Sequence, residues 1–224
     1  ELFKDKINLE HYPFNTEWGG KFDYFSLENP YSIDDEKKVS EFFITTISSF
    51  LNIEKSKISH VEHDTCHASY ALYGSPIRER NTLVVTADAW GDDLSATISI
   101  FDGEKINRVK EYNHKDFQLA RIYRYTTLVL RMLANEHEYK VMGLAPYHNS
   151  KKTIEVEEVL NNMQSIDGIE FSFNSDVKDI FYYLDENLKK FRFDQIASGL
   201  QSFTERLLTE WFSNMSKKFN ASSI

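Results

Sequence analysis

The pair Asp102-Gly103 constrains the fold of this chain more than any other feature of the sequence. It separates two runs of strand-forming residues, 95–101 and 105–112, and an Asp-Gly pair in that setting is the strongest short-range signal for a β-hairpin. A third apolar run precedes them, so residues 83–112 are predicted to form a three-strand antiparallel meander. Helical patterns occupy most of the remaining chain, and the predicted fold class is therefore α/β.

Apolar residues at helical spacing predict helices on both sides of the meander. The first is predicted to begin at Asp34 or Asp35 and to run to about Asn52, with an apolar stripe on one face that is predicted to be buried. The residues of this stripe are Val39, Phe42, Phe43, Ile47, Phe50 and Leu51. Further helices are predicted over residues 119–133, 151–164, 176–190 and 194–219, with a strand over 168–173 and a loop over 140–147.

The composition limits the kinds of protein that this chain can be. Its 224 residues are enough for one large domain or two small ones, and 41% hydrophobic residues supply a core. With 26 basic and 35 acidic residues the net charge is −9, which argues against a nucleic-acid partner. No apolar run approaches the roughly 18 residues of a membrane span, and no signal peptide is visible. The single cysteine, Cys66, excludes an internal disulfide and favours the reducing cytoplasm.

Two histidines and an aspartate suggest a metal site. A short strand at residues 58–62 is predicted to lead into a helix that carries His63 and His67 and ends at Gly74. Residues four apart share one helix face, with Cβ atoms about 6 Å apart, so both imidazoles can reach one ion. Asp88 ends the strand that follows, and two histidines with a carboxylate suit iron or zinc. The alternative is that the histidines are surface residues and Asp88 caps a turn, because H-x-x-x-H is common by chance.

Four segments occur in one order along the chain: HDTCHASYAL, LVVTADAWGDD, RIYRYTTLVLRML and EHEYKVMGLAPY. Together they resemble the O-carbamoyltransferase family, which includes nodulation-factor and antibiotic carbamoyltransferases and is related to the tRNA threonylcarbamoyl-transferase. The last segment is the most specific, and the resemblance is good over residues 58–147 and weak in the flanks. It implies an actin-like, sugar-kinase-like ATPase fold of the ribonuclease H-like kind, incomplete in this chain.

The resemblance also implies a division of the chain. Residues 1–80 would be the end of the first half of the actin-like domain, with an N-terminal insertion or lid, and residues 81–224 the start of the second half. The phosphate hairpin that opens the family domain, its later glycine-rich segments and its separate carbamoyladenylate-forming domain have no counterpart here. We therefore expect the chain to be an internal fragment of a longer protein, poorly active on its own.

The activity implied by the resemblance is carbamoyl transfer. In the family, one domain makes carbamoyladenylate from carbamoyl phosphate and ATP, and the actin-like domain moves the carbamoyl group to a hydroxyl of a small-molecule or sugar acceptor. His63, His67 and Asp88 match the family's catalytic metal ligands, for Fe(II) or another divalent metal, and a fourth family ligand lies in a segment without counterpart here. The family often has a second histidine directly after the first, where this chain has Asp64.

Four further residues are candidates for cofactor contacts. The turn after the first strand cradles a phosphate in actin-like ATPases, which implies such contacts for Gly91 and Asp92. Lys140 could reach a phosphate or carbamoyl oxygen, or could equally pair with a neighbouring glutamate. Arg121, like Arg124, lies near the start of its predicted helix, where the helix dipole disfavours a cation and an anionic ligand would compensate. Solvated arginines explain the same pattern.

Two other functions fit the sequence. A sugar-kinase-like ATPase could use the same turn for phosphate, but would hold magnesium on carboxylates and needs no imidazoles. A non-catalytic binding module of the same fold would have lost its metal. The histidine pair therefore favours the transferase over the kinase, and bound iron or zinc would favour it over the binding module. No nucleic-acid or membrane partner is expected, and the acceptor is left open.

Overall fold

The computed structural model of the protein describes residues 33–92, 94–113 and 115–224. Its helices are α1 (Ile33–Leu51), α2 (His63–Gly74), α3 (Leu119–Val129), α4 (Glu138–Leu144), α5 (Lys151–Asn161), α6 (Ile180–Leu188) and α7 (Phe193–Phe219). Its strands are β1 (Thr82–Gly91), β2 (Leu94–Phe101), β3 (Ile106–Asn113), β4 (Gln164–Asp167) and β5 (Glu170–Phe173). The chain divides into two compact units between Val61 and Glu62, with α1 in the first and the other labelled elements in the second.

The predicted meander is confirmed. Strands β1, β2 and β3 form an antiparallel sheet in sequence order. At the hairpin, the carboxylate of Asp102 accepts hydrogen bonds from the backbone N–H groups of Glu104 and Lys105, at 2.9 and 3.0 Å, which lowers its pKa to about 2. Gly103 has a φ of +102°, a conformation that side chains with a Cβ rarely adopt. The turn chemistry of these two residues thus fixes the register between β2 and β3.

Helix α1 forms as predicted, but the prediction that its apolar stripe is buried is wrong. Phe42, Phe43 and Phe50 are exposed to 56%, 58% and 86%, and Ile47 and Leu51 are exposed as well. The side chain of Val39 lies outside the described residues, as does the predicted N-terminal lid over its first 32 positions. Spacing shows that apolar residues share a helix face, but it does not specify what covers that face.

The second unit contains an apolar core built around α7. A ring cluster joins β3, β5 and α7, with Tyr112, Phe117 and Phe171 each 5.3–5.7 Å from Trp211 between ring centroids. The indole N–H of Trp211 donates to the hydroxyl of Tyr112, and that hydroxyl donates to the carbonyl of Ile169 at 2.6 Å. The sheet and the C-terminal helix are therefore held by packing and by a short chain of hydrogen bonds.

Two local predictions are wrong. Residues 58–62 are not a strand in the structure, although the backbone is extended at Ile58 and Glu62, the two ends of this segment. Residues 140–147 are not a loop: they belong to α4 and to a 3-10 helix at Ala145–Tyr147. Pro146 lies at the first turn of that 3-10 helix, where the missing N–H has no partner to lose, so it does not interrupt the helical path.

The C-terminal boundaries also differ from those predicted. The strand predicted over 168–173 is present as β5, but its antiparallel partner β4 replaces the end of the predicted helix over 151–164. Helix α6 begins after Asp179, whose side chain caps it, rather than after Asp176. Of the residues that the structure describes, no helix is both long and apolar enough to cross a membrane.

Helix α2 lies on one face of the meander. The residues of α2 that are buried follow each other at four-residue intervals: Asp64, Ala68 and Leu72. Ala68 and Leu72 pack against Val84 of β1 and Phe101 of β2. This small apolar contact orients the helix, and the carboxylate at its N-terminal end lies on the same buried face.

Candidate metal centre

The sheet is irregular where β1 approaches the start of α2. Ala87 is paired with Ala96 and Gly91 with Leu94, so three residues of β1 lie opposite a single residue of β2. Asp88 is the first of these three residues. Irregularities of this kind re-aim side chains and are common beside functional sites. The position of the Asp88 carboxylate therefore depends on the two extra residues as well as on the strand itself.

The two oxygens of Asp88 have different partners. Oδ1 accepts a hydrogen bond from the backbone N–H of Ala89 at 2.6 Å. Oδ2 lies 2.8 Å from His63 Nε2 and 3.4 Å from His67 Nε2. Burial disfavours the charged carboxylate, but the hydrogen bonds from His63 and Ala89 and the nearby imidazoles outweigh it and lower the pKa of Asp88. The carboxylate is thus ionised and oriented at neutral pH.

Two carboxylates fix the N-terminus of α2, where His63 is the first residue. Glu62 is the N-cap, and its Oε2 accepts hydrogen bonds from Thr65 N at 2.8 Å and Thr65 Oγ1 at 2.6 Å. Asp92 Oδ2 accepts from the backbone N–H of His63 at 2.8 Å. Acceptors and negative charge are both stabilising at this end of a helix. Asp92 therefore contacts the backbone of His63. The cofactor contact of Asp92 stays a prediction.

The absence of a side chain at Gly91 leaves room for the His63 imidazole. A Cβ added at Gly91 would lie 2.0 Å from His63 Cδ2 and 2.5 Å from Cγ, far inside any allowed contact. The ring therefore lies directly against the backbone of β1, and only glycine is compatible with this arrangement. This observation does not test the predicted contact of Gly91 with a phosphate. It gives an independent reason why position 91 requires glycine.

His63, His67 and Asp88 converge, as their spacing predicted. One ligand atom from each lies within 4.8 Å of the other two, and they form the one such group of His, Cys, Asp and Glu found in the described part of the chain. The two Nε2 atoms are 2.9 Å apart. Bonds of about 2.1 Å to a common ion place ligand atoms about 3.0–3.4 Å apart, close to the observed distances of 2.8, 2.9 and 3.4 Å.

The short contacts of His63 Nε2 are also compatible with a cation in this group. His63 Nε2 contacts both Asp88 Oδ2 and His67 Nε2, but a ring nitrogen carries either a proton or a lone pair, so it cannot donate to one and accept from the other. A cation between the three atoms would accept a lone pair from each. The hydrogen bond to Asp88 raises the pKa of His63 despite its partial burial, and the charges of Asp88, Asp64 and Asp92 add to this effect.

An ion pair connects the start of α2 to the far strand of the sheet. Arg108 of β3 donates to Glu62 Oε2 at 2.6 Å and to Thr65 Oγ1 at 3.0 Å. Although burial disfavours the charge of Glu62, the bonds from Arg108 and Thr65 lower its pKa to about 2. One extra residue in β3 places Arg108, rather than Val109, opposite Ser99. Sequence reasoning missed Glu62 and Arg108, because no local pattern shows such a shift in register.

The other predicted ligand-binding residues lie on α3 and α4. Arg121 is buried, donates to the hydroxyl of Tyr125 at 3.2 Å, and lies over the ring of Tyr125 together with Arg124. Lys140 is exposed, with Nζ 5.7 Å from the ring centre of Tyr139. These contacts neither join the three cations to the His63 group nor exclude a ligand. Their roles stay predictions, as do the catalytic and metal-binding roles of the converging residues.

Comparison with known proteins decides the family. The protein-family model described as Carbamoyltransferase N-terminus matches residues 22–224 of this chain. The chain belongs to the carbamoyltransferase N-terminus family. The Nodulation protein NolNO of Sinorhizobium fredii is 33% identical to this chain over 95 residues. An uncharacterized protein of Methanocaldococcus jannaschii is 25% identical over 185 residues.

This carbamoyltransferase-family chain is short beside its relatives. The alignments cover 75% of the chain with the Methanocaldococcus protein and 42% with NolNO. They cover only 30% and 13% of the lengths of those two proteins, respectively. Family membership therefore supports carbamoyl transfer in general terms, while the activity of a whole protein, its substrates and its partners are matters for proposal.

Proposed function

We propose that this chain is the metal-binding part of an O-carbamoyltransferase. The reaction would move a carbamoyl group from carbamoyladenylate, made from carbamoyl phosphate and ATP, to a hydroxyl of a small-molecule or sugar acceptor. The observation that carries the proposal is the convergence of His63 Nε2, His67 Nε2 and Asp88 Oδ2 within 4.8 Å, in a chain that belongs to the carbamoyltransferase family. A kinase of related fold has no use for two imidazoles at such a point.

His63, His67 and Asp88 would hold Fe(II) or another divalent metal. When bound, such a metal supplies Lewis-acid polarisation of a phosphate or carbamoyl oxygen. The protein contributes the geometry: Ala89 N–H orients the Asp88 carboxylate, and Asp92 and Glu62 fix the first turn of the helix that carries both histidines. The side chains of His63 and His67 are 40% and 53% exposed, so an ion and a substrate can approach from solvent.

The actin-like, sugar-kinase-like fold is part of the same proposal. Its support is the antiparallel meander of β1, β2 and β3 followed by α3, together with the resemblance of the four sequence segments. In this proposal residues 81–224 begin the second half of the domain, and Gly91, Asp92, Arg121 and Lys140 face the nucleotide. A carbamoyladenylate-forming domain would be the partner within the longer protein.

Metal binding tests the site directly. Titration of the chain with Co²⁺ at neutral pH should give one bound ion per chain, with visible absorption bands that report imidazole ligation. His67→Ala and Asp88→Asn should each abolish this binding. His60→Ala is the matched control, because His60 is an exposed histidine outside the converging group, and it should bind as the wild type does. Equal Co²⁺ binding by all four proteins would exclude the site.

Carbamoyl transfer tests the activity. The full-length protein supplied with carbamoyl phosphate, ATP and candidate hydroxyl acceptors should release AMP together with a carbamoylated product. His63→Ala and His67→Ala should stop the transfer while circular dichroism shows an unchanged fold. Transfer that persists in both variants would reject the metal-dependent reaction, and ATP hydrolysis without any carbamoylated product would favour the ATPase alternative.

A further inference from the structure

We propose that Asp64 and Thr86 are positioning residues that set the register of α2 against β1. Their hydrogen bond thereby fixes the distances from the two histidines to Asp88. This inference rests on the proposed metal site, since it concerns the geometry of the same three ligands. Neither residue belongs to the converging group, so both would act through the elements that carry the ligands.

The two residues form a buried network with Thr97 of β2. Asp64 is completely buried, and its Oδ1 accepts a hydrogen bond from Thr86 Oγ1 at 2.5 Å. Thr86 Oγ1 in turn accepts from Thr97 N–H at 2.9 Å and lies 2.7 Å from Thr97 Oγ1. Because the one hydroxyl proton of Thr86 goes to Asp64, Thr97 Oγ1 must donate in the last contact. Directed bonds therefore run from β2 through β1 to α2.

The network lies between the apolar contact and the metal ligands. Residues two apart on a strand share a face, so Val84, Thr86 and Asp88 of β1 follow one another toward the start of α2. Val84 belongs to the apolar cluster, Thr86 bonds Asp64, and Asp88 contacts His63. Asp64 directly follows His63 in sequence, and Thr86 precedes Asp88 by two residues. Asp64 is thus close in sequence to a histidine of the proposed site, and Thr86 is close in sequence to its aspartate.

Register is what this network adds. Apolar contacts are non-directional, and the few that hold α2 on the sheet permit sliding along the strand. A hydrogen bond weakens steeply when its geometry is lost, and one residue along a helix is a step of about 1.5 Å. A slip of that size would break both the Thr86–Asp64 bond and the 2.8 Å contact between His63 and Asp88.

A second observation sets Asp64 apart from an ordinary core residue. A buried carboxylate is costly unless its oxygens are hydrogen-bonded. Asp64 Oδ2 has no hydrogen-bond partner among the described residues. Packing alone would therefore not favour a carboxylate at position 64. Its charge also contributes to raising the pKa of His63. The test must therefore separate the hydrogen bond from the charge.

Four variants make that separation. Thr86→Val removes the donor at nearly constant shape, and Thr86→Ser keeps it. Asp64→Asn keeps the Oδ1 acceptor and removes the charge. Thr126→Val is the matched control, because Thr126 is equally buried but its hydroxyl bonds to Ile122 within its own helix. Each variant of the chain is titrated with Co²⁺, and the ¹⁵N resonances of the His63 and His67 imidazoles are recorded without metal.

The inference predicts a specific pattern. Thr86→Val should weaken Co²⁺ binding by about tenfold, the lower end of the effect of removing a supporting hydrogen bond around a metal site. It should also shift the Co²⁺ bands and the metal-free His63 resonances. Thr86→Ser, Asp64→Asn and Thr126→Val should stay within about twofold of the wild type, which is small against that loss.

Two results would overturn it. Thr86→Val with wild-type affinity and wild-type imidazole resonances would show that the bond does not set register. A loss confined to Asp64→Asn would show that the charge acts instead. If the wild-type chain binds no metal, the proposed function fails separately, because the imidazole resonances still report whether Thr86→Val displaces His63 from Asp88.

Discussion

Helix α2 and helix α7 are held in the same compact unit by different means. Helix α2 contributes two apolar side chains to the core, Ala68 and Leu72, and is otherwise held by hydrogen bonds and an ion pair. Helix α7 buries a long apolar stripe: Ile196, Ala197, Leu200, Phe203, Leu207, Trp211 and Met215. Packing supplies most of the free energy of folding but little direction, whereas hydrogen bonds supply direction. The proposed metal ligands lie in the region that is held mainly by directed hydrogen bonds.

This difference predicts that stability and metal affinity respond to different substitutions. Changes around α7 should lower the free energy of unfolding and leave metal affinity in the folded protein unchanged. Changes around α2 should lower metal affinity and cost at most about 1 kcal/mol of unfolding free energy.

Trp211→Ala should have the largest effect. Trp211 is fully buried against three aromatic rings, so its truncation should cost about 3–5 kcal/mol of unfolding free energy. Urea unfolding at neutral pH measures this cost, and Co²⁺ titration of the folded fraction should give the wild-type affinity. Phe212→Ala is the control, because its ring is 37% exposed and stacks on the outside of Trp211. A fall in Co²⁺ affinity of the folded variant would break the separation.

Gly91→Ala should have the next largest effect, on affinity. The added Cβ overlaps the His63 ring, so the imidazole must move away from Asp88. Metal affinity should fall by about tenfold to a hundredfold, roughly 1.4–2.7 kcal/mol. Gly143→Ala is the matched control, because a Cβ there meets no atom within 4 Å, and it should bind Co²⁺ as the wild type does. An unchanged affinity in Gly91→Ala would mean that His63 is not a ligand in this orientation.

Tyr112→Phe should have a moderate effect on stability. The hydroxyl of Tyr112 donates to Ile169 O and accepts from Trp211 Nε1, and burial raises its pKa to about 12, so it is a neutral donor. Its removal leaves two buried polar groups without this partner and should cost about 1–3 kcal/mol. Thermal and urea unfolding measure this cost. A negligible loss would show that the ring cluster is held by packing alone.

Glu62→Gln should have the smallest effect, near 1 kcal/mol, the usual contribution of a helix cap. Since folding lowers the pKa of Glu62 from 4.5 to about 2, its charge stabilises the protein above pH 4.5, and this contribution is lost as the pH falls toward 2. The difference between wild type and variant should therefore shrink over that range in urea unfolding. Glu170→Gln, which removes an exposed partner of Lys110, is the control and should show little difference at any pH. A difference that does not change with pH would assign the effect to shape alone.

The sequence predicted the parts of the molecule that depend on local chemistry. The hairpin at Asp102-Gly103 and the shared face of His63 and His67 depend on neighbours within four residues, so composition and spacing were sufficient. Arg108 was not predictable, because it faces α2 through an extra residue in β3 that no local pattern shows. Residues 140–147 were misassigned because glycine and proline are compatible with helical turns in particular positions.

The chain positions of the bonded residues have a consequence for the order of assembly. The hydrogen bonds that join His63 and Asp64 to residues 86–92 span 22 to 29 positions, while the bond from Trp211 to Tyr112 spans 99 positions. Each doubling of a closed loop costs about 0.6 kcal/mol of chain entropy, so the shorter loops close more readily. During synthesis, at about 5–20 residues per second, the segment that contains His63, His67 and Asp88 is complete several seconds before Trp211 is added. The three proposed metal ligands are therefore all present in the nascent chain before the core around Trp211 can form.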